Sequence, residues 1–288
     1  HSLFLEFIGE WVNLFEILLT MMMIKIGAIL IVGLNIVQSI RLSSSKSSFT
    51  RIAPIQSFFA LQSSTVNDKV EVEEYFNNEG FNRWNKIYSD SDEVNKVQLD
   101  IRTGHQQTID KVLGWLSAEE NSKKTICDAG CGVGSLSLPL SKSFKQVFAS
   151  DISSSMTNEA AARAKQSNIK NIKFQVSDME ALTGQYDTLA CIDVMIHYPT
   201  EKMYGIVKKL GSLSKERMII SFAPKNIFYT VLKKVGELFP GKSKTTRAYL
   251  HPEEDVIKAL KLAGFSVKRK EMTSTNFYFS RLLEAVRD

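Results

Sequence analysis

The chain has 288 residues, 44% of them hydrophobic, which is enough for one large or two small globular domains. Its formal net charge of +5 is mild, and its basic residues are interleaved with acidic ones, so the sequence shows no basic stripe of the kind that binds nucleic acid. The 3 cysteines, Cys127, Cys131 and Cys191, are odd in number and lack C-x-x-C spacing. We therefore expect no disulfide framework, no protein-bound metal and a reducing compartment.

The first 67 residues differ in composition from the rest. Residues 1–20 precede a run of three methionines and are interpreted as upstream of the true start. The apolar run 26–37 is too short for a membrane span and matches the hydrophobic region of a signal peptide. Residues 41–56 are rich in serine and carry basic residues, and 21–67 contain no acid, which is typical of a transit peptide. We predict a plastid-targeting segment over 1–67; the alternative is a disordered or membrane-anchoring tail.

Two helical patterns follow this segment. In residues 69–89, Phe81, Trp84 and Tyr88 recur at helical spacing within an aromatic cluster. Residues 93–116 carry an apolar stripe that includes His105, which is expected to be a core histidine. We predict an N-terminal helical lid over residues 68–120, followed by a second domain over 121–288.

The most specific motif lies in residues 125–135. A short β-branched strand end leads through Asp128 into glycines at 130, 132 and 134, a pattern typical of a strand-to-helix loop that binds a nucleotide-like cofactor. The dinucleotide fingerprint requires Gly or Ala where this chain has Ser135, and Asp128 would repel a pyrophosphate. S-adenosyl-L-methionine (SAM) carries an amino group and a sulfonium and has no phosphate, so the loop predicts SAM. The alternative is a tight turn without a ligand.

From residue 125 onward, apolar strands alternate with polar, helix-like segments. Predicted strands cover residues 125–128, 146–150, 172–176, 186–193 and 217–223. Two later runs, 265–269 and 277–286, are close enough to pair as a hairpin. This order predicts an α/β, Rossmann-like fold with a mostly parallel seven-stranded sheet and an antiparallel C-terminal edge.

Further acids follow these strands at the edge where open α/β sheets bind ligands. Asp151 lies 17 residues beyond Gly134, near the spacing at which an acid contacts ribose hydroxyls. Asp178 is placed to accept a hydrogen bond from an adenine amino group, and Met179 to cover the ring. Each acid alone fits a solvated loop residue, but the set predicts a cofactor site.

Other segments narrow the family. The glycine loop indicates the class I SAM-dependent methyltransferase superfamily, whereas His-Tyr-Pro at 197–199, the segment 239–249 and the ending 277–281 are narrower signals. Over about residues 70–288 the chain resembles the magnesium-protoporphyrin IX methyltransferases of chlorophyll synthesis. This resemblance implies methyl transfer from SAM to a propionate carboxylate of Mg-protoporphyrin IX, which gives the monomethyl ester. The magnesium then belongs to the porphyrin and not to the protein.

The resemblance also implies site residues. Tyr88 and His197 match active-site residues of the family and are expected to orient the acceptor carboxylate. There is an alternative for each: Tyr88 would be an aromatic core contact, and His197 would contact the magnesium of the porphyrin from its axial side. The expected cofactor-binding residues are Asp128, Gly130, Cys131, Gly132, Gly134, Asp151, Ile152, Asp178, Met179 and Asp193. The expected substrate-binding residues are Lys225, Arg247 and Tyr249. Arg247 is expected to pair with the propionate that does not react, because a guanidinium binds carboxylate through two hydrogen bonds.

The partners implied by the resemblance are the porphyrin substrate, magnesium chelatase, the cyclase and a plastid membrane surface, with a location in the chloroplast stroma or at that surface. Two other functions stay open. One is a class I methyltransferase acting on another carboxylate or an amine, and the other is a tetrapyrrole-binding protein without turnover. The acids at 128, 151 and 178 argue against the second.

Overall fold

The computed structural model describes residues 68–89, 93–225 and 248–288, which belong to one compact unit, Thr65–Asp288. The helices are α1 (Asp68–Asn77), α2 (Glu79–Ile87), α3 (Lys96–Ser117), α4 (Ser137–Leu140), α5 (Ser154–Gln166), α6 (Thr200–Leu213) and α7 (Glu253–Leu262). The strands are β1 (Thr125–Ala129), β2 (Gln146–Asp151), β3 (Ile172–Val176), β4 (Tyr186–Cys191), β5 (Ser214–Phe222), β6 (Phe265–Ser274) and β7 (Phe279–Arg287). A 3₁₀ turn covers Met195–His197. The predicted targeting segment 1–67 lies outside the described residues.

The seven strands form one sheet in the order β3-β2-β1-β4-β5-β7-β6. Strands β1 to β5 run parallel, and β7 lies antiparallel between β5 and β6. The strand order reverses between β1 and β4, which is the point where open α/β sheets bind ligands at the carboxyl ends of their strands. The predicted fold, with its parallel sheet and antiparallel edge, is confirmed.

Strand β4 is shorter than the sequence predicted. The prediction extended to residue 193, but the strand ends at Cys191. Asp193 has a φ of +59°, a left-handed conformation that no strand can contain. The chain therefore turns away from the sheet at Asp193 and enters the 3₁₀ turn that carries His197.

Apolar side chains cover both faces of the sheet. On one face, Ile109, Val112 and Leu116 of α3 pack with Ile126 of β1 and Val147 of β2. On the other face, residues of α6 and α7 pack against β4, β5 and β7. Complete burial of an aliphatic side chain contributes about 1.5–3 kcal/mol, so these layers hold the strand ends in fixed positions.

The N-terminal helices are attached to the sheet domain by specific hydrogen bonds. Helix α3 begins with a capping box, in which Asn95 accepts from Gln98 N at 2.9 Å and Asn95 N donates to the Gln98 side chain at 3.1 Å. Arg102 of α3 donates to the carbonyl of Ile87 at 2.6 Å and so binds the end of α2. Ser153, after β2, donates to the Asn77 side chain at 2.9 Å. The division into a lid over 68–120 and a domain over 121–288 stays a prediction.

Within the described part of the chain, no helix combines the length and apolarity needed to cross a bilayer.

Candidate active site

A cavity of about 670 Å³ opens at the carboxyl ends of the parallel strands. Small-molecule sites commonly have volumes of about 300–1,000 Å³. Its walls come from the glycine loop, from the ends of β2 and β4, from helices α1 to α3 and from the turn between β6 and β7. A cavity therefore lies at the edge of the sheet where the sequence predicted a site.

The glycine loop forms one wall of this cavity. Gly130 N and Cys131 N both donate to the carbonyl of Ser150 at the end of β2, at 2.7 and 2.9 Å. Gly132 has a φ of +52°, and a Cβ atom added there would meet no atom within 4 Å. Gly134 differs, because its Cβ would lie 2.2 Å from Leu138 Cδ1. Gly132 thus leaves room for a ligand, whereas Gly134 lets α4 approach the loop.

Two carboxyl groups lie behind this loop, that of the buried Asp128 and that of the half-buried Asp151. Asp128 accepts a hydrogen bond from Ser137 Oγ at 2.5 Å. Burial raises the pKa of Asp128 to about 6; the hydrogen bond from Ser137 lowers it and the negative charge of Asp151 raises it further. The pKa of Asp151 is also raised by burial, although the backbone N–H groups of Ser153 and Gly132 donate to it at 2.9 Å each and lower it. These two acids make the loop favourable for a cation.

The other predicted cofactor residues divide into two groups. Cys131, Ile152 and Met179 line the cavity together with the loop. Asp178 and Gly134 do not line it, and the Asp178 carboxylate accepts from Glu180 N at 3.0 Å. The roles of all these residues toward the cofactor stay predictions.

The predicted acceptor residues lie on another wall of the same cavity. The Tyr88 ring stacks on the His105 ring, with centroids 4.2 Å apart and planes at 29°. Burial, and then the negative charge of Asp193, raise the pKa of Tyr88 well above its ordinary value, so its hydroxyl stays protonated and is able to donate. Burial lowers the pKa of His197 to about 4, against a smaller opposite effect of Asp193. His197 is therefore neutral at physiological pH. Its ring lies edge-on to that of Phe76, with the ring centroids 5.1 Å apart.

The predicted substrate residues are less close to the cavity. Lys225 and Tyr249 do not line it, although their neighbours Pro224, Ala248 and Leu250 do. Arg247 lies outside the described residues. Of the two predicted residues that the structure describes, neither is part of the cavity wall.

One charged residue of the site was missed by the sequence reasoning. Arg83 on α2 is the one Lys or Arg side chain that lines the cavity in the described part of the chain. Its guanidinium carbon lies 5.7 Å from the centroid of the Trp84 ring, which also faces the cavity. The aromatic pattern around Trp84 predicted the helix, but Arg83 carried no signal of its own in that pattern.

A metal site is not evident in the described ranges, where no three His, Cys, Asp or Glu side chains are grouped so that they could hold an ion.

Comparison with known proteins adds independent evidence. A family model described as the C-terminus of magnesium-protoporphyrin IX methyltransferase matches residues 191–287, and a general methyltransferase-domain model matches 126–216. The chain is 53% identical over 222 residues to the chloroplastic magnesium protoporphyrin IX methyltransferase of Arabidopsis thaliana, covering 76% of this chain and 71% of that protein. It is 51% identical over 230 residues to the magnesium-protoporphyrin O-methyltransferase of Synechocystis, covering 79% of this chain and 100% of that protein.

Solved structures agree with these sequence relatives. The crystal structure of the Synechocystis magnesium protoporphyrin IX methyltransferase with bound SAH superposes with a TM-score of 0.71 and 51% identity, covering 76% of this chain and 100% of that chain. The crystal structure of the same enzyme with bound SAM gives a TM-score of 0.69 and 46% identity, covering 78% and 99%. The family resemblance that the sequence motifs predicted is confirmed, and the chain belongs to the magnesium-protoporphyrin IX methyltransferase family.

Proposed function

We propose that this chain transfers a methyl group from SAM to one propionate carboxylate of Mg-protoporphyrin IX and so forms the monomethyl ester in chlorophyll synthesis. The observation that carries the proposal is the composition of one cavity, in which an acid-backed glycine loop and the pair Tyr88 and His197 face the same space. Membership of the methyltransferase family and the activity named for its relatives support it.

The residues at the glycine loop fit SAM. Gly132 leaves space beside the loop, and the buried Asp128 and the half-buried Asp151 place negative charge there. A positively charged ligand would recover part of the free energy that burial of these carboxylates costs, whereas a pyrophosphate would be repelled. When bound, SAM supplies a methyl group on a positively charged sulfur. Ile152 and Met179 offer apolar contacts to its adenosine part.

The chain's own residues have a positioning task at the acceptor. A propionate is ionised near neutral pH, so the protein needs no strong base to generate the nucleophile. Tyr88 and the neutral His197 would each donate a hydrogen bond to the carboxylate and hold one oxygen toward the methyl group. Reaction of an anion with a cation is slowed by water, and the aromatic side chains of Phe76, Trp84 and Tyr88, which line the cavity, would limit the access of water once the substrates are bound.

Arg83 is proposed to bind the second propionate, which does not react. A buried or half-buried guanidinium pairs well with a carboxylate, and hydrogen bonds between charged groups contribute about 1.5–3 kcal/mol. Arg83→Ala is therefore expected to raise the KM for Mg-protoporphyrin by roughly 10- to 100-fold. It should leave the KM unchanged for a magnesium porphyrin that carries a single propionate. Lys86→Ala is the matched control, because Lys86 lies on the same helix but pairs with Glu93 at 2.9 Å and does not line the cavity. An equal rise for both porphyrins would contradict this role.

The decisive assay uses labelled SAM and the full chain. Mg-protoporphyrin IX should give a labelled monomethyl ester, while small carboxylic acids and amines should give none. Tyr88→Phe and His197→Ala should reduce kcat while the Kd for S-adenosylhomocysteine (SAH) stays within about twofold. Labelled product from another acceptor, with none from the porphyrin, would support the alternative methyltransferase. Porphyrin binding without any product would support the tetrapyrrole-binding alternative.

We also propose that the protein works in a plastid. The Arabidopsis relative is named chloroplastic, and the acid-free, serine-rich composition of residues 21–67 is that of a targeting segment. Contacts with magnesium chelatase and the cyclase remain predictions.

Peripheral membrane association is supported by two exposed apolar side chains, Leu99 and Phe277, which are 49% and 54% exposed. They lie near each other, because Asp100, next to Leu99, accepts a hydrogen bond from Phe277 N at 2.7 Å. Loss of sedimentation with phospholipid vesicles in Phe277→Ser would support that association, and unchanged sedimentation would argue against it.

A further inference from the structure

Asp193 lies where the chain leaves β4, and its carboxylate is surrounded by protein donors. One oxygen accepts from Ser221 Oγ at 2.9 Å and from Ser280 Oγ at 3.2 Å. The other lies 2.8 Å from His105 Nδ1 and 2.7 Å from the Tyr278 hydroxyl. Since a carboxylate has about four acceptor sites, these contacts use its hydrogen-bonding capacity. Asp193 therefore has little capacity left for the cofactor contact that the sequence predicted.

These contacts also determine the charge of Asp193. Burial raises the pKa of this carboxyl group, but the hydrogen bonds from His105, Tyr278 and Ser221 outweigh burial and bring the pKa below its ordinary value. Asp193 is thus ionised and only accepts hydrogen bonds. His105 Nδ1 must then carry the hydrogen that it shares with Asp193, and in a neutral ring this places the hydrogen on Nδ1 and leaves Nε2 without one.

The other nitrogen of His105 is unusual. Nε2 is buried and has no hydrogen-bond partner in the described part of the chain. An unsatisfied buried polar group costs about 1–3 kcal/mol, and His105 lines the cavity, where a bound ligand would be within reach of this ring. The face of the same ring is the surface on which Tyr88 stacks, with the ring centroids 4.2 Å apart. Asp193 thus contacts the edge of the His105 ring, and Tyr88 lies on its face.

Tyr278 completes the arrangement from the hairpin. Its hydroxyl lies 3.0 Å from Thr108 Oγ1 of α3 as well as near Asp193. Its ring lies against Gly104, where an added Cβ would come within 2.4 Å of Tyr278 Cδ1. The β6–β7 turn, α3 and the end of β4 therefore meet at Asp193.

We propose that Asp193, His105 and Tyr278 are positioning residues that orient Tyr88 toward the reacting carboxylate. This inference rests on the proposed function, in which the Tyr88 hydroxyl touches the acceptor. Asp193 keeps His105 in one tautomer and one plane, and Tyr278 holds Asp193 and α3 together. All three line the cavity, and in this proposal they act through Tyr88 and not on the reacting atoms.

Kinetics of single and double variants test the coupling. Asp193→Asn and His105→Phe should each lower kcat by about 10- to 100-fold, as expected when a reacting geometry is lost by about an ångström. The Kd for SAH should stay within about twofold. In a Tyr88→Phe background the same substitutions should lower kcat by less than about twofold, since the hydroxyl that they orient is already absent. Equal losses in both backgrounds would overturn the proposal.

Asn171→Ala is the matched control for a loss of stability. Asn171 donates to the carbonyls of Ser141 and Phe144 at 2.8 and 3.0 Å, away from the cavity lining. This variant should lose thermal stability and keep kcat. If it lowers kcat as much as Asp193→Asn does, the effect is a general one of stability and the proposal fails.

Nitrogen-15 spectra of the His105 ring test the proposal without porphyrin or turnover. The wild-type protein should show a protonated Nδ1 and an unprotonated Nε2. Asp193→Asn removes the negative charge that favours the hydrogen on Nδ1 and should shift the ring toward the Nε2–H tautomer, while Asn171→Ala should not. A wild-type ring with protonated Nε2, or a tautomer that Asp193→Asn leaves unchanged, would overturn the inference. Absence of methyl transfer in the wild type would instead refute the proposed function.

Discussion

The charge state of Asp128 gives a sharp prediction about SAM binding. Burial raises the pKa of this carboxyl group to about 6 in the ligand-free protein. About nine-tenths of the molecules then carry the negative charge at about pH 7, and about one-tenth carry it at about pH 5. SAM is a cation and favours the ionised form. Lowering the pH from about 7 to about 5 should therefore weaken SAM binding about tenfold, or by about 1.4 kcal/mol.

Calorimetric titration of the full chain with SAM across this pH range measures the effect. Asp128→Asn keeps an acceptor for Ser137 but removes the charge, so its Kd should be higher at pH 7 and nearly independent of pH. SAH lacks the sulfonium charge and should show a smaller pH dependence than SAM. A wild-type Kd for SAM that is constant between about pH 5 and 7 would refute the electrostatic reasoning.

The same pKa has the opposite consequence for the stability of the ligand-free protein. A carboxyl group whose pKa is raised on folding contributes stability at low pH that is lost as the pH rises through about 6. Asp128→Asn should thus raise Tm relative to the wild type at about pH 7, and this gain should shrink toward about pH 5. A gain that increases at low pH would show that the sign is wrong.

Three further predictions concern the loop, a buried ion pair and His197. Gly132→Ala should weaken SAH binding, because the added Cβ enters the cavity. Gly134→Ala should instead cause the larger loss of Tm, because its Cβ meets a packed side chain at 2.2 Å. Calorimetry and thermal melts would show whether the effects on binding and on stability separate in this way. Glu284 is fully buried, and its carboxylate lies 3.1 Å from Arg217 Nε. Glu284→Ala should therefore lower the free energy of unfolding, measured by denaturant titration, by about 3–5 kcal/mol. A loss below about 1 kcal/mol would contradict this prediction. Because the pKa of His197 is lowered to about 4, it should cause no inflection in the kcat profile above about pH 5, and an inflection near 6.5 that disappears in His197→Ala would show that the ring titrates normally.

Local patterns in the sequence were enough to predict the sheet and the cofactor, and they also led to the predicted cofactor-binding residues. The periods of the strands and helices, the three glycines and the acid at 128 all act within a few residues along the chain, and parallel strands carry their following loops to one edge of a sheet. Distant parts of the chain decided the acceptor end. His105 and Asp193 are 88 residues apart and Tyr278 is 85 residues beyond Asp193, so no local pattern could show that they meet.

The sequence by itself therefore determined the fold and the family and predicted a loop that favours a cation, because these follow from short-range spacing and residue chemistry. Only the tertiary structure decided that Arg83 enters the cavity while Lys225 and Tyr249 stay outside its wall, and that protein donors surround Asp193. The direction of a side chain and the number of its partners depend on how helices and a hairpin from remote segments pack together, and that packing has no counterpart in any single stretch of the chain.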